Sequence, residues 1–273
     1  MSQNKRAEQY LQECFAGRRL YGDDFSEAEI AAWFEDEKDG YQNLVPNSRQ
    51  DYCYGYHALN VLCGFRHLPA TRFEHVLGFG SAYGDELLPI IDRIGKITIV
   101  DPSTKFRINE LRGVPVQYIS PQSSGELHVP PDSFDLITCF SALHHIPNVS
   151  TVVAELFRCL KPGGVCLIRE PIVSMGDWRR PRRGLTKRER GLPLELFRRM
   201  LGETGFMTQR EQQCMFSLIS RLKYVLKGPV FNSSFAVRMD LLLCAMPVWS
   251  RRYHPLHWIH KLRPTAAFFV LQK

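Results

Sequence analysis

The run His75-Val-Leu-Gly-Phe-Gly-Ser-Ala-Tyr-Gly84 constrains the fold more than any other stretch of this chain. Its apolar start reads as a buried strand. The glycines after it read as a tight turn feeding a helix that begins at Asp85. Glycine sits where a ligand must lie against bare backbone, because a Cβ would stand in its way. A second apolar strand, Lys96-Ile-Thr-Ile-Val, ends on Asp101, about twenty residues on, where an acidic side chain can take the two hydroxyls of a ribose. The pair predicts an adenosine-containing cofactor at the carboxyl edge of a parallel sheet.

The rest of the pattern agrees. Further apolar strands are expected at Val114–Ile119, Phe134–Phe140 and Val165–Ile168, with helices over 85–93 and 106–111 and after Asn148. In that last helix Val152, Val153, Leu156, Phe157 and Leu160 recur at helical spacing, and Lys161-Pro-Gly-Gly164 ends it. Strands alternating with helices predict an α/β fold, a doubly wound, Rossmann-like and mostly parallel sheet. Gly205-Phe206 opens another strand toward Met215, and 266–272 is expected as an antiparallel last strand. Residues 1–73 read as a helical N-terminal cap, with Ser26 as an N-cap and Ala31, Trp33 and Phe34 on one helix. Residues 74–273 read as the cofactor-binding domain, with basic insertions at about 172–192 and 217–264.

The net charge of +7 favours anionic partners without specifying nucleic acid, and no nucleic-acid pattern of interleaved aromatics is present. Eight cysteines show no Cys-x-x-Cys pair, so neither a zinc site nor a disulfide framework is expected. The first residues lack an apolar signal core, and the longest apolar run, Leu241–Trp249, is short and holds a proline. A cytoplasmic, soluble protein is the expectation.

Four segments, in order, resemble the class I S-adenosylmethionine (SAM)-dependent methyltransferases, in particular the small-molecule group typified by ubiquinone/menaquinone C-methyltransferases. They are Val76–Gly84, Ile99–Asp101, Ser133–Pro147 and Leu160–Ile168, with Gly205-Phe206 a weaker fifth. The resemblance covers roughly Glu74 to Met215 and the final strand. It implies SAM as cofactor, lined by Gly78, Phe79, Gly80, Ser81, Gly84, Asp101 and Pro102. It also implies an adenine contact near Ser123 and Ser124, and Phe140 beside the ligand. Methyl transfer to a small organic acceptor, first of all to oxygen, is the implied activity. Two positions depart from the family. Gly78 stands where the turn usually carries an acid that helps hold the charged methionine end, and Ala82 replaces its middle glycine. Asp85 and Glu86 are the neighbours able to restore that charge.

Two other readings come from other classes. Gly78-x-Gly80 with Gly84 loosely suits a nicotinamide dinucleotide, but a pyrophosphate at that helix start would meet Asp85 and Glu86. The altered turn also suits a noncatalytic binding module. His144 and His145 follow the fourth strand, where one could deprotonate an acceptor or simply cap the next helix. Tyr54 and Tyr56, with Tyr52 and His57, could cover the acceptor or stitch the cap to the domain. Arg179 and Arg183 open an arginine-rich run able to grip an anionic or lipid-linked acceptor, or to lie in solvent. Together with Arg221, Lys223, Lys227, Arg251, Arg252 and Lys261, that run would form a basic face for peripheral membrane contact.

Overall fold

The computed structural model describes residues 3–44, 48–226, 228–247 and 249–273. Among them, eight strands form one sheet in the order β3-β4-β2-β1-β5-β6-β8-β7. The centre is built by β1 (Phe73–Phe79), β2 (Ile94–Val100), β4 (Val114–Ile119), β5 (Phe134–Phe140) and β6 (Leu160–Pro171), all mutually parallel. β5 is apolar and buried along almost its whole length, as a strand covered on both faces must be. One edge is closed by β8 (Pro264–Gln272) and β7 (Met207–Phe216), both antiparallel to their neighbours, and the other by the two-residue β3 (Glu110–Leu111).

Helices α1 (Gln3–Phe15), α2 (Glu27–Leu44) and α3 (His57–Cys63) precede β1. α2 starts as expected: Ser26 donates through N–H and hydroxyl to the Glu29 carboxylate, at 2.9 and 2.6 Å. α4 (Val149–Cys159) buries Val152, Val153 and Leu156 against one face of the sheet, and Asp23 accepts from the Ser150 N–H at its start. α5 (Leu194–Thr204) stops at Gly205, whose φ of 106° only glycine adopts freely. The second insertion carries α6 (Ser217–Leu226) and α7 (Ser234–Cys244), the latter lying against β7.

Three local expectations need correction. The helix from Asp85 forms as 3₁₀ turns over Asp85–Arg93, because Pro89 in its middle removes a donor and blocks regular α-geometry. The helix over 106–111 is instead a single 3₁₀ turn, Thr104–Phe106, followed by β3. The strand expected over Val165–Ile168 begins earlier, at Leu160, so Lys161-Pro-Gly-Gly164 follows the end of α4 but lies within β6, across a shift in register against β5.

Candidate active site

β1 and β5 lie side by side, yet the chain leaves them in opposite directions, toward β2 and toward β6. Their carboxyl ends, Phe79 and Phe140, therefore open a crevice at the switch point. Gly80 sits in its floor with φ 67°, and a Cβ there would fall 2.5 Å from the Ala142 side chain. Glycine lets the turn after β1 and the loop after β5 touch. Two cavities flank this contact, and Gly80 and Ser141 line both.

The first cavity runs over the end of β2. Phe79, Asp101, Pro102, Ser123 and Asn148 line it, and Phe34, Glu37 and Lys38 of α2 cover it. Asp101 is buried; it accepts from the Ala82 N–H at 3.0 Å and the Ser103 N–H at 2.9 Å. Burial outweighs those bonds and pushes its carboxyl up to about 6. Asn148 donates through Nδ2 to the carbonyls of Ser123 and Ser124, at 3.2 and 2.7 Å, which fixes that loop at the cavity wall. Its Oδ1 is buried without a partner.

The second cavity lies on the other side of Gly80. Tyr52, Tyr54, Tyr56, Ser81, Glu86, Phe140 and Arg169 line it. Gly78 is beneath: a Cβ there would stand 2.5 Å from the Ser81 Oγ and 3.4 Å from a Glu86 carboxylate oxygen. The room an acidic side chain at 78 would use is thus taken by Ser81 and Glu86. Glu86 is 3% exposed, with Thr138 Oγ1 3.5 Å from its carboxylate, and burial raises its carboxyl to about 7. Asp85 is engaged elsewhere, in a two-pronged pair with Arg49 at 2.7 and 2.5 Å.

Arg169, at the end of β6, is 1% exposed. It donates to Asn60 Oδ1 at 2.7 Å and Ser141 Oγ at 3.3 Å, and its guanidinium lies 4.3 Å from the Tyr56 ring and 5.3 Å from that of Phe140. Its Nε has no hydrogen-bond partner. A buried guanidinium with an idle donor, in the same cavity as a buried carboxylate, is costly unless a ligand of complementary charge completes it.

The two histidines bind inward. His144 Nδ1 lies 2.8 Å from Glu170, whose carboxylate also accepts from the N–H groups of Ala142, Leu143 and His144. His144 lines neither cavity, and burial, helped by neighbouring His145, lowers its pKa. His145 lines the first cavity. Burial works against its charge, but the Glu37 bond at 2.7 Å and the field of Glu189 outweigh that and raise its pKa. Thr186 bridges the two carboxylates through its hydroxyl, so α2, the histidine loop and the first insertion lock together.

The remaining predicted residues scatter. Gly84 has φ 76° and turns toward Ile99 rather than into a cavity. Ser124 lines neither cavity; its carbonyl accepts from Asn148 and its hydroxyl from the Glu126 N–H. Arg179 is held at the surface by Asp177 at 2.8 Å, Arg183 is exposed, and neither lines a cavity. Arg190 of the same run is buried and donates to the carbonyls of Tyr21 and Ile146. The sequence pattern does not single out Arg169, Glu170, Asn148 or Glu37. For the first two a signal exists: charged residues directly after an apolar strand, at the edge where ligands gather.

A Rossmann-like sheet with paired cavities at its switch point defines a nucleotide-cofactor fold of the class I methyltransferase kind. Residues 77–168, from β1 into β6, match the family described as a methyltransferase domain. That match takes in about a third of the chain, and over it this core is similar to methyltransferase domains. A ubiquinone biosynthesis O-methyltransferase of Pseudomonas fluorescens (strain Pf0-1) is 38% identical over 96 residues, 33% of this chain and 41% of that protein. The chain thus spans about two fifths of the length of that curated relative. Among solved structures, the [4+2]-cyclase SpnF superposes with a TM-score of 0.56 at 17% identity, covering 91% of this chain and 97% of that one. A Haemonchus contortus phosphoethanolamine N-methyltransferase 2, in complex with phosphomonomethylethanolamine and S-adenosylhomocysteine, gives 0.56 at 17% identity over 91% of this chain and 61% of that one. At such identities the superpositions speak for the fold alone.

Proposed function

We propose that this protein transfers a methyl group from SAM to a small organic acceptor, at an oxygen atom. The observation that carries the reading is the meeting of two cavities across Gly80, one with a carboxylate at the ribose position, the other with a buried carboxylate and a buried guanidinium. An amino-acid zwitterion joined to a nucleoside needs that set. Asp101 would hold the ribose, and Ser123 with Asn148 the adenine side. Glu86 would take the ammonium, in place of the acid absent at Gly78, and Arg169 the carboxylate, using its idle Nε. When bound, SAM supplies an electrophilic methyl group on a sulfonium. A dinucleotide would instead set pyrophosphate charge against Glu86 and Asp101.

The chain's part in the reaction is placement and exclusion of water. Tyr52, Tyr54 and Tyr56 wall the second cavity, where the acceptor would enter. The histidine pair is assigned to holding the loop after β5: His144 faces Glu170 and neither cavity, and His145 is held toward its charged form by Glu37 and Glu189. The O-methyltransferase name of the Pseudomonas relative supports oxygen as acceptor atom. Seven of the eight cysteines are buried thiols, which supports a reducing cytoplasm.

The test is titration calorimetry with SAM, then labelled-methyl transfer to a metabolite extract with Glu86→Gln and Asp101→Ala as controls. Binding and label incorporation by the parent are expected, both weakened in the two variants. A folded protein that gives no heat with SAM would transfer the case to the binding-module reading.

A further inference from the structure

The charge of this chain is not spread evenly. Residues 216–264 hold five arginines, three lysines and a single acid, Asp240. Of the 35 basic and 28 acidic residues in the chain, 27 of each are therefore left outside that segment, so the whole net charge of +7 resides in it. Its one acid is fully buried and accepts from the N–H groups of Met215 and Phe216. Arg221, Arg238, Arg251, Arg252 and Lys261 are exposed, with no ion pair among the described residues. Lys227 lies outside the described residues, as does the side chain of Lys223.

The same segment exposes large apolar side chains. Val237 and Cys244 of α7 face inward, while Phe235 and Leu242 are 75% and 65% exposed, with Met239 between them on the outer side. The turn at 256–259 adds Trp258 at 75% and Ile259 at 57%. Both pieces spring from one corner of the sheet, where Phe216 pairs with Pro264 and Trp249 packs on Phe216. A helix apolar on two sides, fringed by unpaired cations, needs a partner that is greasy within and negative at its surface. A second copy would bring like charge against like. Nucleic acid would leave Leu242 and Ile259 unused.

We propose that α7 and the 256–261 turn dock this protein onto an anionic lipid bilayer. The module also holds the tyrosine wall of the second cavity: Asn232 accepts from the His57 N–H at 2.7 Å and donates to the Tyr54 carbonyl at 2.9 Å, and Phe231 stacks on Tyr56. A docked molecule therefore has the acceptor entrance tied to its membrane face. The docking itself does not depend on methyl transfer.

Co-sedimentation with phosphatidylcholine vesicles, with and without phosphatidylglycerol and in the absence of SAM, reads it directly. Binding to the anionic vesicles is expected, with release at about 1 M salt, where the screening length falls to about 3 Å. Phe235→Glu with Trp258→Glu, and separately Arg251→Glu with Arg252→Glu, should each weaken it by about tenfold or more. Both pairs are surface changes, and unaltered thermal melting and SAM heats would exclude misfolding. Leu242→Asp serves as a second apolar probe. Failure of the parent to sediment with anionic vesicles overturns the proposal. So does binding that survives both pairs, or a dimer in gel filtration that the apolar pair splits while vesicles are ignored.

Discussion

The two cavities that meet at Gly80 are built from different kinds of parts. The first comes from consecutive features of the chain: the end of β1, the end of β2 with Asp101, and a loop pinned by Asn148 at the start of α4. The second draws single side chains from the tyrosine loop, the 3₁₀ turns after β1, the end of β5 and the end of β6. Under the proposed assignment, nucleoside recognition is local, while recognition of the charged tail is distributed, so its parts can move. An acid missing at Gly78 returns eight residues on, at Glu86, over the same spot.

The largest effect that separates the two is expected at Glu86. Glu86→Gln should weaken SAM by ten- to a hundredfold in calorimetry, the usual loss for a hydrogen bond to a charged group, about 1.5–3 kcal/mol. Plain adenosine, which lacks the ammonium, should bind the variant as it binds the parent. Asp85→Asn should alter SAM affinity little, because Asp85 answers to Arg49. Reversed outcomes for 85 and 86 would reassign the charge.

Asp101→Asn comes next, at about tenfold. Here adenosine and SAM should suffer alike, since both carry the ribose. A variant that loses SAM but keeps adenosine would place Asp101 in the wrong cavity.

Proton linkage sharpens the division. Burial holds the Glu86 carboxyl near 7 and that of Asp101 near 6. Pairing an ammonium with Glu86 requires its charged form, so SAM affinity should fall as pH drops through about 7, with proton uptake by the carboxyl competing. Adenosine affinity should hold until about 6, and Glu86→Gln should remove only the upper step. Both folded-state pKa values lie above the unfolded ones. Their stabilising contribution is therefore complete below about 4 and lost as pH rises to about 7. Thermal melts of the ligand-free protein should decline over that window, and SAM should restore its upper part. His145 adds a further loss above its ordinary range, since its raised pKa stabilises only while it stays charged between Glu37 and Glu189.

The same division explains which parts of the molecule are legible in its amino-acid sequence. Alternating apolar strands, the glycine turn and Asp101 are short-range signals, and they locate the sheet and the first cavity. Glu37, Asn60 and Arg169 belong to no local pattern. Asn60 and Arg169 meet across 109 positions of chain, and Glu37 and His145 across 108. The histidines are legible as polar residues at the right edge. Their direction is not, because Glu170, which turns His144 inward, is reached only through the pairing of β5 with β6. Arginine density misleads for the opposite reason: composition does not say which arginines face a neighbouring aspartate and which, like Arg190, are swallowed by the core.

The smallest effect is expected at the turn itself. Ala82 has φ 49°, a left-handed conformation that costs a residue with a Cβ about 1–2 kcal/mol. Its methyl group, however, is buried beside Tyr83 and Phe106, and burial of one such carbon is worth about 0.8 kcal/mol. Ala82→Gly should therefore change stability by no more than about 1 kcal/mol, in the stabilising direction, read from denaturant midpoints. The backbone N–H that Asp101 accepts is kept, so SAM and adenosine should bind the variant as they bind the parent. A marked gain in SAM affinity would mean that the strained alanine, rather than the displaced carboxylate, is what distinguishes this turn.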